Sequence, residues 1–124
     1  MSDALSARVE WKRGDDPFFD GKYSRAHSWT FDGGAVVPAS SSPHIVPVPF
    51  SVAAAVDPEE AFVASLASCH LLWFLSICAK RGFCVNGYTD SATGEMSVNE
   101  RGKLVISVVC LHPCVDWVGE IPDD

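Results

Sequence analysis

The sequence predicts an α+β fold, with an antiparallel sheet packed on one long, buried central helix. Three observations carry that expectation. Ala61 to Ala79 runs nineteen residues without a charge, framed by a helix start and a helix stop. Lys22 to Phe31 alternates with the period of a strand, and further strand-like runs follow the helix from Cys84 onward.

Composition sets the frame for these elements. The chain has 124 residues, 48% of them hydrophobic and 20% charged, with a formal charge of −7. That fits one globular domain able to bury roughly two thirds of its unfolded surface. Four Trp and seven Phe need a core, which excludes intrinsic disorder. An acidic chain is a poor match for the phosphate backbone, so no nucleic-acid partner is expected.

Taken in order, residues 1–21 read as a polar N-terminal arm with no apolar signal region, so export is not expected and a cytoplasmic location is. The ordered domain is expected over 22–124, starting near Gly21. In Lys22 to Phe31 the side chains of Tyr23, Arg25, His27, Trp29 and Phe31 fall on one face of a half-buried strand. Asp32-Gly33-Gly34 supplies turn chemistry, and Ala35 to Ser41 returns as the second strand of a hairpin. Pro43, Pro47 and Pro49 then impose an extended loop.

Asp57-Pro58-Glu59-Glu60 starts the helix, with Asp as N-cap, Pro at the first helical position and acids where the helix dipole favours them. Lys80-Arg81-Gly82 stops it. Phe62, Leu66, Trp73 and Ile77 form one apolar stripe, while Val63, Leu71, Phe74 and Leu75 cover other sides. A helix apolar all round is buried between a sheet and another helix, or inside a dimer. A membrane span is set aside because Ser65, Ser68, Cys69, His70 and Ser76 interrupt the run, so no membrane partner is expected. Cys84 to Asp90 and Gly94 to Val98 read as strands. Lys103 to Cys114 reads as one longer central strand, apolar on both faces, with Cys110 in the core.

Five cysteines in a chain without an export signal are expected to be thiols. Three residues stand out, each with a plain structural alternative. Arg25, between Tyr23 and His27, must find an anion or lie at a sheet edge with its head in water. Cys69 in mid-helix is either a small packing residue or a reactive thiol. Glu59 alone is a dipole-compensating acid.

Together they match a pattern. Tyr23-Ser-Arg25-Ala-His27-Ser-Trp29-Thr-Phe-Asp-Gly33-Gly34, Ser40-Ser-Ser-Pro43, and Asp57-Pro58-Glu59-Glu60 through Leu66-Ala-Ser-Cys69-His70 resemble the OsmC/Ohr family of thiol-dependent peroxidases, in its OsmC-like branch. Gly82-Phe83, Tyr88, Asp90, Gly94 and Leu111-His112-Pro113 extend the resemblance over Lys22 to Trp117. It implies an intertwined homodimer of cytoplasmic antioxidant enzymes without a cofactor or metal. In these Cys69 attacks an organic hydroperoxide, Arg25 favours the thiolate, Glu59 orients the guanidinium, and a dithiol of the dihydrolipoamide type restores the thiol. The chemistry fits those residue types: an ordinary thiol, with pKa about 8.5, is only ~3% ionised at pH 7, and only the thiolate attacks the peroxide. The product is a sulfenic acid that condenses with a second thiol.

Helix geometry adds a constraint. Ten residues rise about 15 Å, so Glu59 and Cys69 of one regular helix cannot share one guanidinium. Either the helix is bent between them or the site mixes residues of two subunits. The chain also departs from the family pattern, ending before the second helix and last strand, where the usual resolving cysteine lies. Cys78 would point away from Cys69, about 13 Å along the helix, and Cys84, Cys110 and Cys114 stay open as resolving thiols. Two other functions compete: a non-enzymatic or truncated OsmC-like protein without turnover, and a zinc site built on Cys110, His112 and Cys114, with Cys69 or Cys84 as fourth ligand.

Overall fold

The computed structural model of the chain describes residues 5–123. Residues 1–4 of the expected arm and residue 124 lie outside the described residues. The chain divides into two compact units, Met1–Pro58 and Glu59–Asp124.

The first unit is a three-stranded antiparallel sheet in the order β1-β2-β3, from β1 (Ala7–Glu10), β2 (His27–Phe31) and β3 (Val36–Ala39). The hairpin from β2 to β3 turns at Asp32-Gly33-Gly34 as its residue chemistry predicts, closed by Gly34 N–H donating to the Phe31 carbonyl at 2.9 Å. Two expectations are corrected. A strand, β1, lies within the polar arm, with Ala7 opposite Phe31 and Glu10 opposite Ser28. Ala7, Arg8, Val9 and Glu10 do alternate, but they lie in a charged segment that reads as an arm, and all four side chains are exposed. β2 begins at His27 rather than Lys22, because the chain before it is tied into turns. Trp11 Nε1 donates to the Ser24 carbonyl, Asp16 Oδ2 accepts from Ser24 N–H, and Arg25 N–H donates to the Phe50 carbonyl.

The proline-rich segment is a series of turns rather than an extended loop. Its organiser is serine. Ser40 is fully buried; its N–H donates to the Val56 carbonyl, its hydroxyl donates to the Ser41 carbonyl and accepts from Val52 N–H at 2.9 Å. Ser51, also buried, donates to the Val46 carbonyl at 2.7 Å. Short hydroxyl side chains satisfy backbone groups that the prolines cannot pair, which explains the run Ser40-Ser41-Ser42-Pro43 structurally.

The second unit is one helix and a long kinked hairpin. The helix α1 (Pro58–Arg81) starts at the expected proline and ends in a Schellman motif: Gly82 sits at φ 81°, Phe83 N–H donates to the Cys78 carbonyl and Gly82 N–H to the Ala79 carbonyl. Four strands follow, β4 (Cys84–Asp90), β5 (Thr93–Val98), β6 (Leu104–Cys110) and β7 (Pro113–Val118), paired as β4-β7 and β5-β6. The single central strand expected over Lys103–Cys114 is therefore corrected to two strands in separate two-stranded sheets. The registers, Asp90 opposite Pro113 and Thr93 opposite Cys110, make these the two halves of one hairpin, broken at Ser91-Ala92 and Leu111-His112. Asp90 Oδ1 accepts from His112 N–H at 2.8 Å and His112 Nδ1 lies 3.2 Å from the Ser91 carbonyl, so side chains hold the kink where the ladder stops.

The helix packs on this hairpin with one stripe. Val63, Ala67, Leu71, Phe74 and Cys78 are half-buried or buried and recur at helical spacing. Phe74 meets Tyr88 of β4 and Trp117 of β7, and Phe83 meets Trp117 from the helix end. At the other end, Val63 approaches β5 so closely that a Cβ on Gly94 would stand 2.6 Å from Val63 Cγ2. Gly94→Ala is thus expected to cost about 1–3 kcal/mol by overpacking, read as a lower denaturant midpoint at unchanged slope.

The expected burial of the whole helix is not found in the single chain. The stripe Phe62, Leu66, Trp73 and Ile77 is exposed, Trp73 by 71%, and Leu72 beside it by 64%. By length and composition alone α1 would also suffice to cross a membrane. The physical reason for the difference is supply: one hairpin covers one side of a helix that is apolar on all sides.

Candidate active site

Cys69 lies near the middle of α1, on its exposed side. At about 100° per residue it falls within the uncovered stripe, between Leu66 and Trp73 and opposite the stripe that meets the hairpin. A thiol there is not a core packing residue of this chain. His70, the next residue, is held by its neighbours: its Nδ1 shares a 2.6 Å hydrogen bond with the Tyr88 hydroxyl and its ring stacks with Phe74 at an interplanar angle of 12°. The eighteen-residue separation of His70 and Tyr88 hides this pair from any linear pattern.

The Tyr88 hydroxyl is held above the usual phenol range, by desolvation first and by the negative charge of Asp90 second. A group whose folded pKa is raised gives stability that is full below its unfolded value, about 10, and is lost as the pH rises through the folded value. Tyr88→Phe is therefore expected to flatten the alkaline decline in stability, checked by urea midpoints on both sides of about pH 10.

Glu59 stands in the first turn of the same helix, with Oε2 buried and without a hydrogen-bond partner among the described residues. The helix runs unbroken from Pro58 to Arg81. About 15 Å of axial rise separates Glu59 from Cys69. Arg25 belongs to the first unit. It precedes β2 rather than lying on its aromatic face. Its Nη1 donates to the carbonyls of Gly21 (2.7 Å) and Tyr23, and its Cζ lies 3.7 Å from the centroid of the Tyr23 ring. Tyr23 is itself stacked on Phe18 and edge-on to Trp11. An aromatic platform thus orients the guanidinium, a role for Tyr23 that strand periodicity did not suggest.

The other thiols separate by environment. Cys78 is buried, whereas Cys84, Cys110 and Cys114 are exposed, which corrects the core placement of Cys110. Among the described residues no three His, Cys, Asp or Glu side chains are grouped to hold a metal ion. Cys110, His112 and Cys114 are not brought together as a ligand group among the described residues, and His112 serves the kink.

The family model for OsmC-like proteins matches residues 51–116, over half the chain and the whole of α1. The chain belongs to the OsmC-like family. A solved structure of an OsmC-like protein of unknown function from Vibrio cholerae O1 biovar eltor is similar throughout, with 54% sequence identity and a TM-score of 0.91. The match covers 100% of this chain and 80% of that one. No curated protein matches the sequence. An OsmC-like fold with a single helix and antiparallel sheets is what the sequence anticipated, and the resemblance read from its motif runs named the family.

Proposed function

We propose that this OsmC-like protein is a cysteine-based peroxidase that reduces organic hydroperoxides in oxidative-stress defence, working as a cytoplasmic homodimer. The observation that carries the reading is the position of Cys69, an exposed thiol centred in an apolar stripe that the chain's own hairpin leaves uncovered. A second copy laid on that stripe would enclose the thiol among Phe62, Leu66 and Trp73, surroundings suited to an apolar hydroperoxide. The unbroken helix supports a site of mixed origin, since Glu59 and Cys69 of one chain are too far apart to share a guanidinium. The buried, unpartnered oxygen of Glu59 is a ready acceptor for such a group.

In this reading Arg25, held flat by Tyr23, favours the Cys69 thiolate, and Glu59 balances and orients the guanidinium. The thiolate sulfur attacks the distal peroxide oxygen, the O–O bond breaks, and an alcohol leaves with a proton; Cys69 becomes a sulfenic acid. A dithiol then forms a mixed disulfide, releasing water, and its second sulfur frees Cys69. The test is hydroperoxide consumption with dihydrolipoamide as reductant. Turnover that disappears in Cys69→Ser supports the proposal; turnover unaffected by that change refutes it.

A further inference from the structure

Two cysteines outside the proposed peroxidatic site face one cavity. Beyond the C-terminal end of α1 a cavity of about 460 Å³ is lined by Leu75, Cys78, Phe83, Cys84 and Val85, together with the small residues Ala79 and Gly82. Cys78 is the buried residue of the helix, and Cys84, the first residue of β4, is exposed. The Schellman turn brings the two segments together: the Cys78 carbonyl accepts from Phe83 N–H at 2.9 Å, and Cys84 follows Phe83 directly. A buried thiol and an accessible one lining the same cavity suit a dithiol in which the outer sulfur meets the oxidant and the inner one completes the bond.

We infer that Cys78 and Cys84 form a second, independent redox site, a dithiol that closes to a disulfide with a low-molecular-weight disulfide as oxidant. The Cys84 thiolate attacks one sulfur of that disulfide and expels one thiol. Cys78 then attacks the Cys84 sulfur of the mixed disulfide and expels the second thiol. Two protein thiols are oxidised, one disulfide is reduced to two thiols, and the two protons leave with them. The bond would fasten the end of α1 to the start of β4 without involving Cys69, which lies nine residues back on the exposed side of the helix.

The full chain carrying Cys69→Ser, incubated with oxidised glutathione and digested with trypsin without reduction, tests this. Cleavage after Arg25, Lys80, Arg81 and Arg101 puts Cys78 in peptide 26–80 and Cys84 in peptide 82–101, so with residue 69 changed a link between these peptides identifies the pair. The expected result is that linked species, with both thiols protected from alkylation. In Cys78→Ala, Cys84 is expected to stop at the glutathione mixed disulfide and to need about tenfold or more oxidant for equal protection, since an intramolecular partner acts at millimolar effective concentration. Cys84 held as the glutathione adduct while Cys78 is still alkylated, or peptide 82–101 linked to 104–124, would overturn the inference. Hydroperoxide is absent from this assay, so its outcome is separate from that of the peroxidase proposal.

Discussion

Cys69→Ser should leave no measurable hydroperoxide reduction, because a serine hydroxyl is not ionised at neutral pH and forms no sulfenic acid. Arg25→Ala should keep the nucleophile but lose its activation. An ordinary thiol is only ~3% thiolate at pH 7, so the variant's rate should fall by up to roughly thirtyfold there. The deficit should shrink as the pH is raised past about 8.5, where even an unassisted thiol ionises. Arg25→Lys keeps a charge but loses the planar group that lies 3.7 Å over the Tyr23 ring, so it should rescue only part of the loss. Rates measured across pH for wild type and the two arginine variants check this; a deficit that is the same at every pH would assign Arg25 a purely structural role.

The double variant Leu72→Glu, Trp73→Glu should turn a dimer into a monomer. These side chains are 64% and 71% exposed, on the side of α1 that its own hairpin leaves uncovered. In a two-fold interface each would be buried twice. At about 1.5 kcal/mol or more per side chain, their loss amounts to at least roughly 6 kcal/mol, on the order of four decades in Kd, before the burial of four carboxylates is counted. Light scattering of wild type and variant reads the change directly. A wild type that is monomeric at micromolar concentration, or that fractionates with membranes, would refute the dimer and leave the uncovered stripe to another partner.

The ends of the helix and the turn of the first hairpin were legible because local chemistry decides them. Asp57-Pro58 and Gly82 set the ends of α1, and Asp32-Gly33-Gly34 sets the turn of the first hairpin. What sequence could not reach was decided at a distance. β1 pairs along β2, and the alternation of Ala7–Glu10 in a short charged segment does not by itself announce that partner. The apparent long strand to Cys114 is cut at Leu111-His112 because the Asp90 carboxylate, twenty-two residues earlier, takes the backbone N–H that a ladder would have used. For the site, residue types and their spacing named Cys69, Arg25 and Glu59 through a family pattern. The Tyr23 platform and the His70–Tyr88 pair depend on side-chain directions that no linear pattern encodes. The stripe predicted to be core proved to be the exposed one, and that reversal is what directs the functional reading towards a second subunit.

The most direct test of the central claim is mass spectrometry of the five thiols after a brief exposure of the reduced protein to cumene hydroperoxide. A sulfenic acid on Cys69, formed well before any change at Cys78, Cys84, Cys110 or Cys114 and lost in Cys69→Ser, is the result expected. Oxidation of all five at equal rates, or of an exposed hairpin thiol ahead of Cys69, would contradict it.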